Sequence, residues 1–83
     1  MTRVGEERMM RITVKLYASF RDGRFMEEDQ EHPDGITLRQ VVAHVGIGDG
    51  ELGMSLVNGC HATMDKPLSD GDCIFLFPML SGG

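Results

Sequence analysis

Ile36-Thr37-Leu38-Arg39-Gln40-Val41-Val42-Ala43-His44-Val45-Gly46 decides the fold, because it carries a helical period with both of its ends marked. Leu38, Val41, Val42 and Val45 recur at i, i+3, i+4 and i+7, so they share one face. Thr37 is a good N-cap, and Gln40 completes a T-x-x-Q capping box. Ile36 and Val41 take the N′ and N4 positions of a hydrophobic staple. Gly46 supplies the left-handed residue that closes the helix. A short helix with one apolar stripe must bury that stripe against something, and the flanking segments have to supply it.

Upstream, residues 11–18 alternate. Ile12, Val14 and Leu16 fall on one face, and Thr13, Lys15 and Tyr17 on the other. This is a half-buried strand, and its Ile12/Val14/Leu16 face is the expected floor for the helix. Arg21-Asp22-Gly23 signals a turn, and residues 24–31 return as a second strand. That strand opens on Phe25-Met26 and turns acidic at Glu27, Glu28, Asp29 and Glu31. The acidic row reads as a solvated edge that discourages strand addition; docking to a basic partner is the other use open to it. His32-Pro33-Asp34-Gly35 breaks the chain before the helix. Residues 1–9 read as a flexible polar leader, and Met9 and Met10 stand as alternative starts.

Downstream, Gly46, Gly48, Gly50 and Gly53 make a glycine-rich stretch. It lacks the Lys-Ser/Thr ending of a phosphate loop, and no strand leads directly into it, so it reads as a flexible connection. Residues 54–58 form a short strand, Asn58-Gly59 is a hairpin turn, and residues 60–63 return. Ser69-Asp70-Gly71-Asp72 is another turn. Cys73-Ile74-Phe75-Leu76-Phe77-Pro78 is nearly continuous in apolar residues, as in a central strand, and Pro78 should end its pairing. Parity puts Ile74 and Leu76 on the helix side. Tyr17, His61, Phe75 and Phe77 then form a candidate apolar patch on the other side, with a core position the alternative for Phe75. The expected class is α+β, a mixed sheet of four or five strands curled around one helix. Residues 10–78 form the domain and residues 79–83 a flexible tail.

Composition bounds the function. The 83 residues suit one small domain, and 41% hydrophobic residues argue against disorder. A net charge of −5 argues against nucleic acid as a main partner. No apolar run approaches the ~18 residues of a membrane span, and no charged-then-apolar leader opens the chain, so a cytoplasmic location is expected. Cys60 and Cys73 read as reduced thiols. His32, His44 and His61 have no spacing typical of zinc, so no metal is assigned. No Ser-His-Asp or Cys-His constellation has supporting motif context, so the chain alone is not expected to be an enzyme.

The sequence closes in Ser81-Gly82-Gly83. Two glycines offer no side chain to pack and have the most backbone entropy to lose. Their advantage is slimness, which lets a terminal carboxylate enter a narrow tunnel. Residues 79–83, fully extended, reach about 17 Å at ~3.4 Å per residue. Capture of a C-terminal carboxylate by backbone amides is a recurring recognition mode.

Residues 68–83, with their L-x-D-G-D turn, hydrophobic strand, Phe77-Pro78 and closing Gly82-Gly83, resemble the C-terminal signature of the MoaD/ThiS family of ubiquitin-like sulfur carriers. Val57-Asn58-Gly59 matches that family's internal hairpin, and Leu16-Tyr17-Ala18 fits its first strand. The resemblance spans roughly residues 10–83 and is nearest to the small subunit of molybdopterin synthase. Where those subunits commonly carry a second proline after the last strand, this chain has Met79. The resemblance implies a ubiquitin-like β-grasp fold. It implies that the Gly83 carboxylate is adenylated by a separate ubiquitin-activating-like enzyme using ATP and magnesium, with no cofactor bound by the carrier itself. A sulfurtransferase or persulfide would then convert Gly83 to a thiocarboxylate that donates sulfur in molybdenum or tungsten cofactor synthesis. Met79, Leu80, Ser81 and Gly82 would line a partner's tunnel, and Tyr17, His61, Phe75, Phe77 and Pro78 would face partners, among them a molybdopterin synthase large subunit. Three alternatives stay open. One is a carrier serving thiamin, cysteine or another product. Another is a non-covalent ubiquitin-like binding module. The last is a small sensor domain using the glycine-rich loop.

Overall fold

The computed structural model describes residues 9–79. Its elements are β1 (Met9–Leu16), β2 (Glu27–Pro33), α1 (Leu38–Val45), β3 (Leu52–Val57), β4 (Cys60–His61) and β5 (Cys73–Pro78), with short 3-10 turns at Ala18–Arg21 and Asp49–Glu51. The five strands form one sheet in the order β2-β1-β5-β3-β4. β1 and β5 are parallel, and the other pairs are antiparallel. This is the ubiquitin-like β-grasp implied by the resemblance, with five strands.

The helix forms as its sequence dictates. The Thr37 N–H donates to Gln40 Oε1 at 2.9 Å, which is the reciprocal half of the capping box. Gly46 sits at φ 93° and donates to Ala43 O, while the Ile47 N–H donates to Val42 O. Those two bonds make a Schellman closure, and buried Ile47 packs back beside the last turn. The helix then lies on the inner face of the sheet. Ile12, Val14, Leu16, Leu38, Val41, Ile74 and Leu76 are all fully shielded from water. Burying each such side chain stabilises the fold by about 1.5–3 kcal/mol before conformational entropy is counted.

Several boundaries differ from the expected ones. β1 begins at Met9, which pairs with Pro33, rather than at Arg11. β2 begins three residues later than expected and ends two later, taking in His32 and Pro33. The proline is tolerated because β2 is an edge strand, where a missing N–H need not cost a ladder bond. The Arg21-Asp22-Gly23 turn is preceded by a 3-10 turn that buries Phe20. β3 starts at Leu52, and β4 is only two residues long. The glycine-rich stretch is anchored rather than a plain flexible connection: Ile47 is buried and the Glu51 N–H donates to Gly48 O at 2.9 Å. Backbone pairing also continues past Pro78, because the Met79 N–H donates to Glu51 O at 2.9 Å.

The edge strand is tied to the helix by histidines. Buried His32 meets His44 edge-on, with ring centroids 4.9 Å apart. Gln30 Nε2 donates to Glu28 Oε1, which leaves Gln30 Oε1 to accept from His32 Nε2 at 2.8 Å. Burial pushes the His32 pKa below 6.5, and the neighbouring His44 pushes it in the same direction. The folded chain therefore resists protonation at His32 while the unfolded chain does not. Its contribution to stability is fully present above the unfolded pKa near 6.5 and is lost as pH falls below that value. Urea unfolding from about pH 7 down to about pH 5 is expected to show falling stability, and His32→Gln should flatten that slope. An equal slope in His32→Gln would remove His32 as its source.

Candidate functional site

The outer face of the sheet is set by the same parity as the core. With Ile74 and Leu76 turned inward, Phe75 and Phe77 point outward and stay half-buried. Lys15 lies beside Phe75 in the parallel pair, and Phe75 lies opposite Leu56. Phe77 lies opposite Met54. Tyr17 continues past the end of β1, its N–H donating to Leu76 O at 3.2 Å. Its ring stacks on Phe77 at 4.4 Å between centroids, and Phe75 follows at 6.3 Å. Offset aromatic pairs of this kind add roughly 0.5–1.5 kcal/mol beyond the area they bury.

Two cations frame this stack. Lys15 Nζ sits 5.3 Å from the Phe75 ring centre, and the Arg21 guanidinium sits 5.3 Å from that of Tyr17. Arg21 is fixed in place because its Nε donates to Leu16 O at 2.7 Å. Beyond Lys15, Glu27 and Asp29 of β2 carry the opposite charge, and Asp29 accepts from Thr13 Oγ1 at 2.8 Å. The outer face is thus divided, acidic at the β2 edge, aromatic over β5 and aliphatic over β3.

The structure brings Tyr17, Phe75 and Phe77 into one stack. His61 is exposed on the same face, but Leu56 lies between it and Phe75. Two strand spacings put it about 10 Å from Phe75. Pro78 and Met79 follow Phe77 directly at the rim. Leu80, Ser81, Gly82 and Gly83 lie outside the described residues. Met54, Leu56, Lys15 and Arg21 complete the face, although no motif in the sequence points to them. Met54 and Leu56 could have been found, since they alternate with buried Ser55 and Val57. The positions of Lys15 and Arg21 over rings depend on strand register and on the 3-10 turn, which the sequence does not mark.

The opposite end of β5 explains why two motifs belong together. Asp72 Oδ1 accepts from Asn58 Nδ2, and Asp72 Oδ2 accepts from the Ser69 N–H. Asn58 Oδ1 accepts from the Cys73 N–H, and the Asn58 N–H donates to Cys73 O. Asn58 and Gly59 both have positive φ, as a tight hairpin turn requires. The L-x-D-G-D turn and the Val57-Asn58-Gly59 hairpin are therefore two halves of one hydrogen-bonded clasp. Among the described residues no group of three or more His, Cys, Asp or Glu side chains could hold a metal, and no helix is long and apolar enough to cross a membrane.

A family model for the ThiS family matches residues 14–83. The chain belongs to the ThiS family. Among solved structures, the Haloferax volcanii protein HVO 2177 is similar at 25% identity, with 90% of this chain and 88% of that one covered and a TM-score of 0.73. A Pyrococcus furiosus chain provisionally described as molybdopterin converting factor subunit 1 shares 27% identity, covering 86% of this chain and 99% of its own, at a TM-score of 0.72. A Helicobacter pylori complex of subunits 1 and 2 of molybdopterin-converting factor contains a chain 22% identical, covering 89% of this chain and 100% of its own, at a TM-score of 0.56. That last likeness shows the fold. The protein is thus a ThiS-family member, in a family of small ubiquitin-like carrier and modifier proteins.

Phe77 is half-exposed, so truncating it leaves no sealed cavity. Phe77→Ala should cost less than the 3–5 kcal/mol of a fully buried phenylalanine, about 2 kcal/mol or below. Its larger effect should fall on binding of a partner protein, read by calorimetry beside a thermal melt. A melt collapsing to that of Leu76→Ala would make Phe77 a core residue instead.

Proposed function

We propose that this protein is a sulfur carrier whose Gly83 carboxylate is activated and converted to a thiocarboxylate. The observation that carries this reading is the family match running through Gly83, on a chain whose aromatic face ends at the strand that leads into the tail. A carboxylate is a poor electrophile because its leaving group would be oxide. Attack of a Gly83 oxygen on the α-phosphorus of ATP forms an acyl–O–P bond and expels pyrophosphate. Sulfur at the sulfide level then attacks the acyl carbon, and AMP leaves with the bonding electron pair. With a persulfide donor, a second thiol must take the donor's remaining sulfur into a disulfide. ATP and magnesium are used by a ubiquitin-activating-like partner in the cytoplasm, and a sulfurtransferase supplies the sulfur.

Molybdopterin synthesis is the pathway we favour. Support comes from the Pyrococcus furiosus relative at 27% identity and its provisional description. The Helicobacter pylori complex joins subunits 1 and 2, and by analogy a large subunit would receive this chain's tail. The half-exposed stack of Tyr17, Phe75 and Phe77 suits such docking, since aromatic side chains are frequent interface anchors. Met79, Leu80, Ser81 and Gly82 would line the tunnel, and His61 and Pro78 would border the docked face.

The test is the intact mass of the protein after incubation with ATP, magnesium, a sulfur donor and extract of its source cells. Replacement of one oxygen by sulfur, mapped to Gly83, is the expected result. Deletion of Gly83 or Gly82→Ile should abolish that change while leaving the thermal melt nearly where it was. Conversion of either variant would sink the carrier reading. An unchanged wild-type mass, beside a control carrier converted in the same extract, would favour a non-covalent binding module.

A further inference from the structure

Gly53 interrupts β3. Leu52 pairs with Pro78 and Met54 with Phe77, so Gly53 is an extra residue in the ladder, a β-bulge. A Cβ placed on Gly53 would lie 2.6 Å from Met79 Cα, 2.7 Å from Pro78 O and 2.9 Å from Met79 N. All three are backbone atoms, so none can swing away as a side-chain tip would. The missing side chain is what lets residues 78–79 cross β3 at this level. Two residues earlier, Glu51 O accepts the Met79 N–H at 2.9 Å. The first residue of the tail is therefore held from two directions, by a close approach and by a hydrogen bond.

The surroundings single this segment out. Pro78 and Met79 stand between two clefts and contribute to both. One, of about 420 Å³, is bordered by Ser19, Phe20, Arg24 and Glu51. The other, of about 440 Å³, is bordered by Ala18, Gly53, Met54 and Phe77. The start of the tail is a ridge rising from the rim, adjoining the aromatic stack through Phe77.

We propose that Gly53 and the Glu51 carbonyl are positioning residues that set the direction in which the tail leaves the domain toward a docked activating partner. This rests on the carrier reading above and adds to it a part of the chain that touches neither ATP nor Gly83. The aromatic face docks, and the bulge aims. A tail started at another angle would still dock with its domain but would present Gly83 away from the α-phosphorus. Misplacement by about 1 Å at a reacting centre can cost on the order of 100-fold in rate.

Two variants separate the two restraints. Gly53→Ala adds the clashing carbon and leaves every donor in place. Replacing the Met79 amide by an ester through semisynthesis removes the N–H to Glu51, keeps the Met79 side chain and adds no atom near Gly53. Each is assayed in the full chain with its ubiquitin-activating-like enzyme, ATP and magnesium, reading carrier-dependent ATP–pyrophosphate exchange. Hydrogen exchange at the Met79 amide is followed in wild type and Gly53→Ala. The expected result is a kcat reduced about 10- to 100-fold in both variants, KM for the carrier within about twofold, and faster Met79 amide exchange in Gly53→Ala. A purely structural bulge would lower the melting temperature and leave kcat for the folded fraction unchanged, and that outcome overturns the proposal. So does a wild-type kcat in Gly53→Ala with Met79 freely exchanging. Should Gly53→Ala fail to fold, the Met79 ester alone decides. Wild-type protein that supports no exchange would instead overturn the carrier reading and, with it, any aiming role in activation.

Discussion

In the parallel pair of β1 with β5, Val14 lies beside Ile74 and Leu16 beside Leu76, while Lys15 lies beside Phe75. Every other part of the molecule takes its place from this pair. Parallel strands cannot be joined by a hairpin and need a crossover of a dozen or more residues. Here the crossover contains α1, which covers the inner face, and the β3–β4 hairpin, which extends the sheet. The pair has two faces and two ends. The inner face is the core, and the outer face is the aromatic stack. One end is closed by the clasp of Asn58 and Asp72, and the other leads into the tail.

Local signals make the helix and the face assignments legible in the amino-acid sequence. Thr37, Gln40 and Gly46 act on their own immediate neighbours, so their effect can be read from a few consecutive residues. Parity places Ile12, Val14, Leu16, Ile74 and Leu76 inside and Tyr17, Phe75 and Phe77 outside, because a strand's alternation does not depend on its partner. What stays hidden depends on register. The shift of β2 toward Pro33 follows from pairing with Met9, a contact between distant residues. The anchoring role of the glycine-rich stretch hides for the same reason: Gly53 is required by the backbone of Pro78 and Met79, far along the chain. A glycine in a flexible loop and a glycine under a crossing strand look alike in sequence.

The residues that carry the resemblance divide into two kinds. Ser69, Asp70, Asp72, Asn58 and Gly59 hold the far end of the sheet. Asp70 accepts from the Arg11 N–H and Asp72 bridges two loops, so they fix β5 against β1 and β3. They stand at the Cys73 end of β5, opposite the Pro78 end that leads into the tail. Phe77, Pro78 and the residues after them are the part that meets a partner on the carrier reading. A motif scan treats both kinds alike, whereas the hydrogen bonds separate scaffold from delivery.

Docking and delivery are coupled by the covalent chain itself. Phe77 and Met79 are two residues apart on nearly extended backbone, about 7 Å at ~3.4 Å per residue. No hinge can intervene, because Pro78 has a fixed φ and Met79 is bonded to Glu51. A partner that grips the stack thereby also fixes where the tail begins. Charge adds a sense of direction. Lys15 and Arg21 frame the stack, while Glu27 and Asp29 mark the β2 side, so a partner rotated in the sheet plane would oppose like charges. On the carrier reading, the aromatic rings offer the docking face, the charges would select the orientation, and the bulge at Gly53 would convert that orientation into a direction for the tail.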